Sequence, residues 1–223
     1  MNVRFRVDDP LTDVWAHVND PNGSSWAVLS ALDRAAHRLF VCSSAQRVEH
    51  LASHSPISGF SVATVVSHVL RVEYSTKAPR CWVSLIHDWG ANLNAPDGCG
   101  RVPAVGIWAN AFNRTSEAEE NAHALLKKLK LDPLVVDGNG ESLFSVDLSD
   151  FGRKKHEALA VCRILQEAAD CALASMKPEQ AAQRCAVLAV HPDHEPWLAS
   201  RRSMWLKATI QPRLLPRQTG PRL

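Results

Sequence analysis

The sequence predicts an α+β fold, a mixed sheet packed by helices, with a helical N-terminal part and a basic C-terminal tail. Three observations lead there. Short apolar runs rich in β-branched residues, at Arg80–Ile86, Val105–Trp108, Leu134–Val136 and Ala186–Val190, read as buried strands. Between them lie segments with apolar residues three and four apart, the pattern of helices with one buried face. From Pro196 to Leu223 there are six basic residues and no acidic one. The chain divides accordingly into residues 1–79, a strand and three helices; 80–195, an α/β core; and 196–223, a basic, proline-rich tail.

The elements follow in order. Val3, Phe5 and Val7 alternate with polar residues as in a half-buried strand, and Val14, Trp15 and Val18 suggest a second. Asp20-Pro21-Asn22-Gly23 is dense in turn formers. Ser25 reads as an N-cap for a helix that buries Trp26, Leu29, Leu32, Ala36, Leu39 and Phe40. A second helix starts near Ser44 with Val48 and Leu51 inward, and a third is capped by Ser61 with Val62, Val65, Val66, Val69 and Leu70 as its stripe. Asn92 to Gly100 is loop by composition.

The stretch from Val105 to Leu148 is the best-defined unit and reads as βαββ. Ser116 with Glu119 three residues on forms a capping box, and Lys127, Lys128 and Lys130 complement the helix's C-terminal end. Asp137-Gly138-Asn139-Gly140 reads as a hairpin turn between two strands, the second running through Leu143, Phe144, Val146 and Leu148. Beyond Asp150 comes a long helix from Ala158 to Met176, then a helix opening on Pro178. Pro212, Pro216 and Pro221 break regular structure in the tail.

Composition bounds the function. With 46% hydrophobic and 22% charged residues the chain has the balance of a soluble globular protein. The net charge of +2 divides into a mildly acidic body and a basic tail, which favours an acidic partner, nucleic acid before membrane. The six cysteines show no C-x-x-C pair or zinc spacing and read as reduced thiols. No run approaches the roughly 18 apolar residues of a membrane span. The start lacks a signal peptide's apolar region, so the expected location is the cytoplasm.

Two histidine-bearing motifs read as loops rather than sites. His87-Asp88 ends a predicted strand, and an HD-type metal dyad requires a helix. His191 and His194 flank Pro192, which makes a turn with no third ligand at metal spacing. No cofactor and no metal site is expected.

Two resemblances add to this reading. Gly59 to Arg71, GFSVATVVSHVLR, resembles the recognition segment of bacterial helix-turn-helix repressors, which implies that Ser61, Thr64 and His68 face a DNA groove and Arg71 a phosphate. The residues themselves leave open an αα-hairpin packed under a sheet. Val105 to Leu148 is similar to part of the archaeo-eukaryotic primase, or primase-polymerase, fold, with a glycine turn at Gly138 and Gly140 for nucleotide phosphates. Here Ile107 to Asn110 lacks the carboxylates that two-metal chemistry requires, and Asp137 and Ser142 replace the family's serine and histidine.

The expected function is a non-catalytic nucleic-acid-binding protein, DNA or RNA, in a larger nucleoprotein complex, with contacts from Ser61, Thr64, His68, Arg71, Arg201, Arg202, Lys207, Arg213 and Arg217. Basic residues interleaved with Trp197 and Trp205 suit phosphates and bases, and equally suit an arm that docks on a protein. The alternatives are a phosphoryl- or nucleotidyl-transfer enzyme on a primase-like sheet, and a structural subunit whose seven tryptophans and arginines anchor protein interfaces.

Overall fold

The computed structural model describes residues 9–72, 78–112, 118–147 and 155–214. Among them no sheet forms, which corrects the α+β expectation: extended pairing is limited to two isolated antiparallel bridges, His54–Ser61 and Val136–Ser142. The helices are α1 Thr12–Val18, α2 Ser25–Val41, α3 Ser44–Ala52, α4 Val62–Val72, α5 Ala78–Asp88, α6 Pro103–Ala111, α7 Ala118–His123, α8 Lys155–Ala174, α9 Pro178–Val187 and α10 Glu195–Leu214.

Each predicted strand that is described takes another form. Val14 and Trp15 are buried in α1, Arg80–Ile86 falls inside α5, and Val105–Trp108 inside α6. In α6 Pro103, Ala104, Val105, Ile107, Trp108 and Asn110 are all buried, so helical periodicity is erased and an apolar run remains. The second half of the expected βαββ unit is a turn, one bridge and a 3-10 turn at Leu143–Ser145. Ala186 and Val187 close α9. The strand expected at Val3 to Val7 and the cap at Ser116 lie outside the described residues.

Local chemistry accounts for the helix ends. Ser24, one residue before the expected cap, accepts a hydrogen bond from Ala27 N and starts α2. Ser43 and Gln46 form a capping box for α3, and Pro103 and Pro178 occupy first turns, where the missing N–H leaves no intrahelical bond unmade. α7 continues as a π-helical turn over Ala124–Lys128. The tail's expected break at Pro212 falls within the end of α10.

Consecutive helices pack on one another: α1 on α2, α3 and α5 on α4, and α9 on α10. Neighbouring pairs stack through α2, α4 and α6, and α8 packs on α7. One hydrophobic core runs through the stack from Leu11 to Leu198, with Trp15, Trp108, Phe112 and Phe144 among its fully buried side chains. α2 stands at the start of the row. Trp26 and Phe40, expected inward, are 63% and 72% exposed, while the position of Trp26 corresponds to buried Ala63 in α4 and Ala104 in α6, helices with neighbours on both sides. Among the described residues no helix is long and apolar enough to cross a membrane.

Candidate functional site: the loop ladder and its recess

Two loops forty residues apart, Asp97-Gly98-Cys99-Gly100-Arg101 and Asp137-Gly138-Asn139-Gly140-Glu141, have the same construction bond for bond. Asp97 Oδ1 accepts from Cys99 N at 2.8 Å and Arg101 N at 2.9 Å; Asp137 Oδ1 accepts from Asn139 N and Glu141 N, both at 2.8 Å. Each aspartate N–H donates to the carbonyl four residues on, and each C=O accepts from the second glycine. Those glycines, Gly100 and Gly140, sit at φ 78° and 80°, where a side chain would be strained.

The equivalence extends backwards. Asn92 and Asp132, five residues before each aspartate, accept from the N–H two residues on, and two residues earlier again Gly90 and Lys130 have φ 93° and 53°. The sequence therefore holds an internal repeat, helix, Asx turn, Asp-Gly-x-Gly loop, that the element-by-element reading missed. Its signal was present in the two D-G-x-G words at 97 and 137.

The remaining loops are variants of this one. Asp20 Oδ1 accepts from Asn22 N and its C=O from Gly23 N. Ser55 uses its hydroxyl to accept from Ser58 N, and its C=O accepts from Gly59 N. His191 accepts from Asp193 N through its ring and from His194 N through its C=O.

Successive loops are tied together. Asn19 Nδ2 donates to Ser55 Oγ, Gly98 N to Gly59 O at 2.9 Å, Gly138 N to Gly100 O at 2.6 Å, and His191 N to Phe144 O at 2.7 Å. Backbones meet closely here: a Cβ on Gly98 would lie 2.9 Å from Gly59 O, and one on Gly138 3.0 Å from Gly100 O. The result is a ladder of loops along one edge of the stack.

This geometry bears on each predicted residue. All four amides from Gly138 to Glu141 donate within the protein, so the turn has no N–H left to cradle a phosphate. Ser61 and Thr64 are buried: Ser61 Oγ accepts from Thr64 N as a helix cap, and Thr64 Oγ1 donates to Asp97 Oδ2 at 2.8 Å, locking α4 to the next loop. α4 itself packs against α2, α3, α5 and α6, in the interior of the stack. His68 and Arg71 fall within α4 and Arg213 within α10; Arg217 lies outside the described residues.

Arg201 makes a two-pronged pair with Asp170, Nε and Nη2 each 2.6 Å from a carboxylate oxygen, joining α10 to α8. Arg202 donates to the carbonyls of Cys185 and Leu188 at the end of α9. Lys207 is exposed. The two arginines thus perform structural work, and among the selected residues whose side chains are described, Ser61 and Thr64 are buried at α4 while Arg201, Arg202 and Lys207 lie on α10.

The described residues do converge on a recess of about 500 Å³ between α4, α6 and the Asp137 loop. Thr64, Ser67, Gly106 and Asn110 line its helical side, and Asp137, Glu141 and Asp147 its loop side, with Arg101 also on its lining. Arg101 carries its guanidinium over the Phe60 ring, 5.2 Å from the centroid. Asn110 is buried, and its Nδ2 donates to Ser67 O and Gly106 O, fixing α6 to α4.

No group of three His, Cys, Asp or Glu side chains able to hold a metal is gathered among the described residues. The five cysteines whose side chains are described are free, and burial pushes the Cys162 and Cys185 thiols up, which disfavours the nucleophilic thiolate.

At the far end of the ladder His194 is buried, hydrogen-bonded to Gln166 and edge-on to Phe144, whose ring also stacks on Trp197. Burial lowers the pKa of His194; Asp193 opposes this and His191 adds to it. A depressed histidine pKa means that the unfolded chain binds the proton better. Stability from this group is complete above the unfolded value near 6.5 and falls as pH drops through it. Urea midpoints between pH 8 and pH 5 are expected to decline on the acid side, and His194→Gln is expected to flatten that decline. An unchanged slope in the variant would rule His194 out as the cause.

Comparison with protein-family models, curated proteins and solved structures finds no match to this chain.

Proposed function

We propose that the chain is a protein-binding scaffold, a stacked array of helix pairs that holds a segment of another protein against its loop ladder. The observation that carries this is the ladder itself. Five loops of related build are tied edge to edge, with the backbone donors of the two Asp-Gly loops satisfied internally. Such a wall offers side chains rather than backbone to a partner, and is rigid before binding, which reduces the entropy lost on association.

A turn followed by paired helices, repeated in series, is the plan of solenoid arrays, the ankyrin type among them, whose stacked units generate extended binding surfaces. This is the structural-subunit alternative in a more definite form. Nucleic-acid contact draws less support, because Ser61, Thr64, Arg201 and Arg202 are engaged within the fold.

The test is site-specific crosslinking in cells. A photoreactive side chain at exposed Asn139, on the ladder, is expected to capture a discrete protein partner, and one at exposed Arg163, on α8, is not. Equal capture at both positions would remove the reading. So would purified protein carrying nucleic acid, seen as a raised 260/280 ratio that high salt abolishes.

A further inference from the structure

We infer that the recess between α4, α6 and the Asp137 loop is a subsite for a cationic side chain, arginine above lysine, carried by an extended segment of the partner. The inference rests on the protein-binding reading and adds the chemistry of what is bound. Among the described lining residues three carboxylates, Asp137, Glu141 and Asp147, stand against one guanidinium, Arg101. That guanidinium is already associated with the Phe60 ring. A cation therefore gains from entering, and a phosphate is repelled.

The rest of the lining suits an arginine. Val102, Val105 and Val146 supply apolar surface for the methylene stem, Glu141 offers a carboxylate of the planar geometry a guanidinium matches with two parallel hydrogen bonds, and Asp137, whose Oδ1 accepts the loop amides, adds its second oxygen. The volume of about 500 Å³ falls in the range of ligand clefts and exceeds one side chain, leaving room for flanking backbone.

The walls are preformed. A Cβ on Gly106 would lie 2.8 Å from Ser67 Oγ, so α4 and α6 are in direct contact beneath the recess. Opposite them, Asp137 is held by the amides of Asn139 and Glu141. Beyond it Asp147 sits 3.7 Å from His191 Nε2, at the junction with the next loop.

The experiment uses the full chain with three probes: a capped peptide alternating arginine and glycine, the same peptide with neutral citrulline for arginine, and a single-stranded oligonucleotide. Calorimetry and amide chemical shifts are read at low and moderate salt. The arginine peptide is expected to bind and to shift the amides of residues 137–147 and Ser67, and the citrulline peptide and oligonucleotide are not. Asp137→Asn with Glu141→Gln is expected to weaken the arginine peptide about tenfold, the scale of losing two partly screened ion pairs.

Should the double variant melt early, Glu141→Lys alone, at an exposed side chain outside the loop's own bonding, serves in its place and is expected to abolish binding. Equal binding of the arginine and citrulline peptides, indifference to these substitutions, or preference for the oligonucleotide would overturn the inference. A partner captured at position 139 whose affinity ignores Glu141→Lys would remove the cationic subsite and leave the scaffold standing. Capture that fails while the peptide responds as expected would do the reverse.

Discussion

Asp97→Ala is expected to destabilise the protein by about 3 to 4 kcal/mol, the scale of losing charge-assisted hydrogen bonds and stranding buried donors. Asp97 is buried and accepts from Cys99 N, Arg101 N and the Thr64 hydroxyl. Its removal would loosen its own loop and unlock α4 from it. Asp97→Asn keeps the acceptor for both amides, and its NH2 can donate to Thr64 Oγ1 while that hydroxyl turns to Ser61 Oγ, 3.0 Å away. The asparagine variant is therefore expected to retain most of the stability. Asp137→Ala, at a less buried carboxylate whose side chain accepts two amides, is expected to lose less than Asp97→Ala. Urea denaturation of the three variants decides: equal losses for alanine and asparagine at position 97 would remove the carboxylate's proposed role.

Trp108→Ala is expected to cost about 3 to 5 kcal/mol, the range for deleting a buried aromatic side chain. Trp108 is completely buried in α6 and meets Phe112 edge to face, with ring centroids 4.8 Å apart. Its indole N–H has no hydrogen-bond partner among the described residues. Trp108→Phe loses volume but no hydrogen bond and is expected to cost about 1 to 2 kcal/mol, the scale of a small residual cavity. If phenylalanine proves as damaging as alanine, packing is not what Trp108 contributes.

These two positions also show why the fold was only partly legible. Trp108 lies in an apolar run, Val105 to Trp108, whose β-branched density suggests a strand. A helix buried on every side has the same appearance, since nothing polar marks its period. The clue that separates them is Pro103, which opens α6 as a first-turn residue. Asp97 was legible only as part of a loop. Its partnership with Thr64, on a helix more than thirty residues earlier, is invisible until α4 and the loop are stacked. The same stacking takes Thr64 and Ser61 out of contact with any groove and gives Arg201 and Arg202 partners on α8 and α9.

By itself the sequence determined a cap, a turn and the amphipathic helices: Ser61 at the start of α4, Pro178 in the first turn of α9, the Asp-Gly-Asn-Gly turn at 137–140, and the buried stripe of α2 at Leu29, Leu32 and Leu39. These depend on local backbone geometry and on periodicity over a few turns, which neighbouring residues encode. It also contained the repeat, in two Asp-Gly-x-Gly words forty positions apart. Only the tertiary structure decided that the apolar runs are helices, that the loops form a ladder, and that carboxylates gather across a recess. Those outcomes depend on burial from several sides at once and on hydrogen bonds between distant segments, as when Gly138 donates to Gly100.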